Sequence, residues 1–210
     1  MTKTLILLHV LAGSVAVGGM LIAWATEKGG QWHRYGGRAF SAGMLVSLSL
    51  GLIVSVLTRN VFLFSIALFS GYMVYTGWRI AKVRNGKMSS LDRFAFYGIA
   101  ITSGLMLAVG AWMLSRGDTM GIVQIVFGFL SGGLALQDYR FKGAWPRGKE
   151  RIVLHVGRMG GATIATITAV LVTNVQTQPQ FLGWLLPSVV VTPLIIYWTR
   201  RVQNGRVASS

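Results

Sequence analysis

Seven apolar stretches follow one another along this chain, at about 4–25, 40–58, 61–81, 94–114, 120–137, 152–174 and 181–199, with short connections between them. Each is close to the ~20 residues a helix needs to cross the hydrocarbon of a bilayer. The chain has only 12% charged residues and a mean hydropathy of +0.58, whereas a soluble domain carries about a quarter charged residues. Seven spans also leave no room for a soluble domain. The expected fold is therefore all-α: one transmembrane domain over 1–210, built as a bundle of seven helices.

The positive charge falls on alternate connections. The first, third and fifth hold Lys28, Arg34 and Arg38, then Lys82, Arg84, Lys87 and Arg93, then Arg140, Lys142, Arg147, Lys149 and Arg151. Arg79 and the tail residues Arg200, Arg201 and Arg206 join that side, so it carries sixteen of the twenty basic residues. The opposite side has Lys3, Arg59 and Arg116, and Arg158 lies within a span. By the positive-inside rule the N-terminus is outside and the C-terminus cytoplasmic. The run after Met1–Thr4 is long enough to span and is followed by more positive charge than precedes it, which favours a retained helix over a cleaved signal.

A formal net charge of +15 on a soluble chain would suggest nucleic acid. Here it sits in loops beside apolar spans, so it reads as topology and attraction to anionic lipid headgroups, with no nucleic-acid partner. There is no cysteine, which excludes disulfides, thiolate metal sites and thiol redox chemistry.

Small residues recur at helical spacing, as Gly128 and Gly132 in span five and Gly157, Gly161, Ala165 and Ala169 in span six. Such stripes let helix backbones approach closely, and packing within the chain is the expectation. Trp24, Trp78, Trp112, Trp145, Trp184 and Trp198 lie near span ends, as an interfacial belt would place them. Pro187 and Pro193 are expected to bend or locally unwind span seven.

Chemistry must come from few residues. Ionisable groups within spans tend to face the bundle interior or a water-filled cavity, which singles out His9, His155 and Arg158. His155, Arg158, Ala162, Thr166 and Thr173 share one face of span six. Arg158 could clamp an anion through its planar fork, or form a structural pair with Asp138 or Glu150. The first basic connection, from Glu27 to Arg38, reads as a glycine-rich loop whose Lys28, Trp32, His33 and Arg38 could engage an anionic, flat or amphiphilic group. A tight basic turn at the headgroups explains it equally. His9 and His155 should differ in depth by roughly 20 Å, so they cannot hold one iron between them. His33 and His155 could, if haem is the ligand and the loop folds inward. Zinc would need a further ligand, for which Asp138 is the nearby choice. On the outer side, His9, Asn60 and Asn174 form a candidate second polar cluster.

The segments His9-Val10 with Gly13, Lys28-Gly29-Gly30 with His33 and Gly37-Arg38, and Asn60 with Phe62-Leu63 resemble those of a family of bacterial multispanning membrane proteins known as a domain of unknown function. In the second half the matching pieces are His155 with Arg158-Met159-Gly160-Gly161-Ala162, Asn174, and Trp184 with Pro187 and Thr192-Pro193. The resemblance covers most of the chain and implies a bacterial inner-membrane location. It supplies no activity, cofactor or catalytic assignment.

Three functions are compatible with these residues. One is binding of an anionic or redox-active amphiphile (haem, a quinone or a lipid headgroup) in a cytoplasmic-side pocket between span six and the first basic connection. The second is a small transporter or channel following the span-six stripe past span seven. The third is a membrane scaffold whose buried polar groups are purely structural.

Overall fold

The computed structural model describes residues 2–205 as seven helices: α1 (Thr2–Ala25), α2 (Gln31–Leu57), α3 (Val61–Lys82), α4 (Ser90–Ser115), α5 (Gly121–Arg140), α6 (Gly148–Asn174) and α7 (Phe181–Gln203). Met1 and Arg206, both used in the topology argument, lie outside the described residues. All seven helices are long and apolar enough to cross a membrane. Their outward faces carry large apolar side chains such as Ile101, Phe129 and Val189, at 73%, 68% and 70% exposure. A soluble monomer rarely shows contiguous apolar surface of this kind. Hydrocarbon would accept it. Among the described residues the only extended pairing is a single bridge between Lys87 and Ala144.

Three antiparallel hairpins, α1/α2, α4/α5 and α6/α7, surround α3. One end of the bundle gathers the α1–α2, α3–α4 and α5–α6 connections and is called the basic end below. Within the hairpins, glycine allows contact between backbones. A Cβ on Gly36 would lie 2.7 Å from the Ala23 nitrogen, and one on Gly43 would lie 2.7 Å from both the Ala12 oxygen and the Ala16 nitrogen. In α4/α5, Gly110 faces Gly121, and the Ser103 hydroxyl donates to the Gly128 carbonyl at 2.9 Å. Dispersion across such approaches is what holds helices together where neighbouring lipid is equally apolar.

α2 begins at Gln31, nine residues before the expected start, so most of the expected glycine-rich loop is helix. Only Thr26–Gly30 forms the connection, turned by Gly29 at φ 83°. Gly36 therefore serves the α1 crossing and not loop freedom. Three further expectations change. Trp145 is 3% exposed, packed with Ile80, Val83 and Leu154 under the basic-end connections, and so is no belt anchor. In the α6 stripe, Gly157 meets nothing within 4 Å and Ala169 is exposed. Gly161 of that stripe does pack closely, against Met73 of α3, and the other close contact comes from its neighbour Gly160, against Ile195 of α7. Finally, of the bend or unwinding expected at Pro187 and Pro193, the unwinding is absent, because α7 is one continuous helix through both prolines. The Gly128/Gly132 pair does pack within the chain, against Leu107 and Ser103.

Candidate functional site

Each of the three histidines turns Nδ1 to a backbone carbonyl of a neighbouring helix. His9 meets Ser47 O at 2.7 Å, His33 meets Ala23 O at 2.9 Å and His155 meets Gly77 O at 2.8 Å. A carbonyl oxygen only accepts, so Nδ1 carries the proton in all three rings. In the neutral imidazole Nε2 then keeps its lone pair, and among the described residues no group bonds to Nε2 of His33 or His155. An imidazole held through one nitrogen and open at the other is how proteins present histidine to a metal or a hydrogen-bond donor.

Two of these rings lie toward the basic end, on helices α2 and α6 that do not pack directly on each other. His33 sits in the first turns of α2, and it is a charge neighbour of His155 on α6. Lys28 joins them because its ammonium donates to the same Ala23 carbonyl at 3.0 Å. It also donates to Trp24 O at 2.6 Å and Thr26 O at 3.1 Å, closing the carbonyl end of α1 as a cation should. The ammonium lies 5.4 Å from the centre of the Trp198 ring of α7. Burial pushes Lys28 below the usual lysine range. His9 is at the level of Ser47, fourteen positions along α2 from His33, or about 21 Å away in rise.

The other candidates do not join this group. Trp32 is 67% exposed and stacks edge-on with Tyr35. Arg38 is exposed and turned about 140° around α2 from His33. Asn60 accepts from Leu63 N and caps α3. Asn174 bonds within its own helix, to Val170 O and Thr173 Oγ1. With His9 bound to Ser47, these three residues are satisfied separately, and no hydrogen bond links them.

Arg158 is 2% exposed and faces the core, where Nη2 donates to Asp138 Oδ1 at 2.5 Å and Gln137 Oε1 at 3.0 Å. The Tyr72 hydroxyl donates to the other Asp138 oxygen. Arg158 Nε and Nη1 are buried with no hydrogen-bond partner among the described residues. Asp138 is thus engaged on both oxygens and does not approach a histidine as a zinc ligand would. Among the described residues, no three His, Asp or Glu side chains gather as they would around a metal ion.

A second group repeats this pattern one turn along α3. Tyr75 donates to Asp92 at 2.7 Å, and Arg79 Nε reaches both Asp92 oxygens at 3.1 and 3.2 Å. Asp92 also closes a capping box with Ser89 at the start of α4. Nearer the other end, Ser65 and Gln124, both fully buried, bond to each other at 2.9 Å. Tyr72, Tyr75, Asp92, Ser65 and Gln124 are functional candidates that reading the sequence passed over. A signal was present: Ser65, Tyr72, Thr76 and Arg79 fall at intervals of seven, four and three on one face of span three.

Compared with protein-family models, curated proteins and solved structures, the chain matches none.

Proposed function

We propose that the chain is a bacterial inner-membrane protein with its basic end in the cytoplasm, and that this end binds an anionic or redox-active amphiphile. The observation that carries this reading is the pair His33 and His155. Both are pinned as Nδ1–H tautomers by carbonyls of other helices, and both leave an Nε2 lone pair open. Lys28 supplies positive charge beside them, and Trp198 supplies a flat apolar wall. Two imidazoles with open Nε2 lone pairs suit haem iron or the hydroxyl of a quinol, while haem propionates or a lipid phosphate, which only accept, would be drawn by the charge of Lys28. Arg158 supports the site from behind, by locking α6 to α5.

The test is the visible spectrum of the detergent-purified full chain, oxidised and then reduced with dithionite. A Soret band with sharp reduced bands, lost in H33A and H155A, identifies haem. A colourless protein from haem-replete cells removes haem, and titration with a quinone analogue then decides between quinone and headgroup. Ligand binding that survives both substitutions overturns the site.

A second reading, a small transporter, is favoured by one specific arrangement. Ser65/Gln124, Tyr72/Asp138 and Arg79/Asp92 are polar pairs spaced every seven residues along α3, a rise of about 10 Å each. This column runs beside α3, not along the α6–α7 path expected from sequence. Proton or solute flux in proteoliposomes that disappears in D138N would put this reading first.

A further inference from the structure

At the basic end, the α3–α4 and α5–α6 connections are locked into one platform. Trp145 N donates to Gly86 O at 2.8 Å, and Lys87 forms its bridge with Ala144. Arg147 donates to Asn85 O at 2.8 Å, and Arg151 closes the carbonyl end of α3 through Ile80 O and Ala81 O. Gly86 adopts φ +73°, and a Cβ there would lie 2.8 Å from the Trp145 oxygen. Trp145 fills the space beneath, with Ile80, Val83 and Leu154. A connection that serves only to set topology needs charge but no such framework.

On this platform opens a groove of about 430 Å³, lined by Arg79, Lys82, Val83, Arg84, Asn85 and Lys87. The groove is wide open to the surface, so a ligand would lie across it with much of its area still exposed. The groove's charge is one-sided. Arg79 is matched by Asp92, but among the described residues no salt bridge reaches Lys82, Arg84 or Lys87. Lys82 is held with its ammonium 3.9 Å from the Trp78 ring centre. Asn85 accepts from Lys87 N at 3.1 Å, fixing the turn that separates Arg84 from Lys87. Three unmatched cations on a rigid frame, at the end of membrane-length helices, are complementary to more than one phosphate charge.

We propose that this groove is a binding site for a group carrying two phosphates, such as the headgroup of a bisphosphate lipid, distinct from the histidine site. The two phosphates would be shared among Lys82, Arg84 and Lys87, with the acyl chains lying along the apolar outer face.

The probes are cardiolipin, phosphatidylglycerol and inorganic pyrophosphate, each titrated into the detergent-solubilised full chain and read by native mass spectrometry. Cardiolipin should bind at least tenfold more tightly than phosphatidylglycerol. K82Q/R84Q/K87Q should weaken it on the order of a hundredfold, as expected for three interfacial charges. R140Q/K142Q/R200Q, which removes equal charge from the same end outside the groove, should change it less than threefold. Pyrophosphate binding as tightly as cardiolipin, with the same dependence on the three residues, would keep the diphosphate site and assign it to a soluble ligand. Equal losses in the two triple variants, or no preference over phosphatidylglycerol, would overturn the proposal. Thermal unfolding of each variant separates loss of the groove from loss of the fold.

Discussion

Tyr72 of α3 donates its hydroxyl to Asp138 of α5, and that carboxylate in turn holds Arg158 of α6. Three helices are thereby tied at one buried point. Three residues on, Tyr75 ties α3 to α4 through Asp92. Two of the chain's five acidic residues thus serve to attach neighbouring helices to a central one.

Removing one member of the buried pair should be far worse than removing both. D138A leaves an unmatched guanidinium in the core, and a loss of about 3–5 kcal/mol is expected. Y72F removes one hydrogen bond to a charged group, worth about 1.5–3 kcal/mol. D138L/R158M should recover most of the D138A loss. Denaturant unfolding of the four proteins in one detergent checks this, and a double variant no better than D138A would contradict it.

Adjacent glycines of α2 should respond oppositely. G36A forces a Cβ to 2.7 Å from the α1 backbone, and overpacking of this kind costs about 1–3 kcal/mol. Gly37 has nothing within 4 Å, so G37A should be neutral or stabilising by up to ~1 kcal/mol through helix propensity. Paired melting curves measure the contrast.

Lys28 carries a pH signature. Its folded-state pKa is lowered by burial, so just below the ordinary lysine value of about 10.4 the unfolded chain binds more protons than the folded one. Stability then rises with pH across that window, because proton release relieves the penalty of burying the charge. Below the folded pKa both states are protonated and the penalty is constant. The difference in stability between wild type and K28Q should therefore change between neutral and alkaline pH, in favour of wild type as pH rises. A pH-independent difference would show that burial does not perturb this ammonium.

The histidine tautomers can be observed directly. Long-range proton–nitrogen correlation spectra near pH 8 should show Nδ1 protonated in His9, His33 and His155, since each faces a carbonyl. H155A should leave the signals of His9 in place, because that ring sits at the level of Ser47. An Nε2–H tautomer at His33 or His155 would remove the open lone pair on which ligand binding depends.

Helix number and type, and the separation of His9 from the other two histidines along the bundle, are legible in the sequence. Each follows from residue order alone: about twenty apolar residues make a span wherever they occur, and the rise per residue sets depth. Even the small-residue pair Gly128/Gly132 announces a close approach without naming its partner. The tertiary structure alone decided which faces meet. It made α3 the central helix, chose Asp138 over Glu150 as the partner of Arg158 and added Tyr72 from a third element, and moved Trp145 from the expected interface into a core. It also turned Gly36 from a loop residue into a crossing point. The physical reason is that span hydropathy does not depend on rotation about the helix axis. A helix can be turned by half a circle and remain equally apolar on average, so only the contacts among seven helices choose the buried face. Polar partners such as Asp138 and Arg158, twenty positions apart, acquire their roles only when that choice is made.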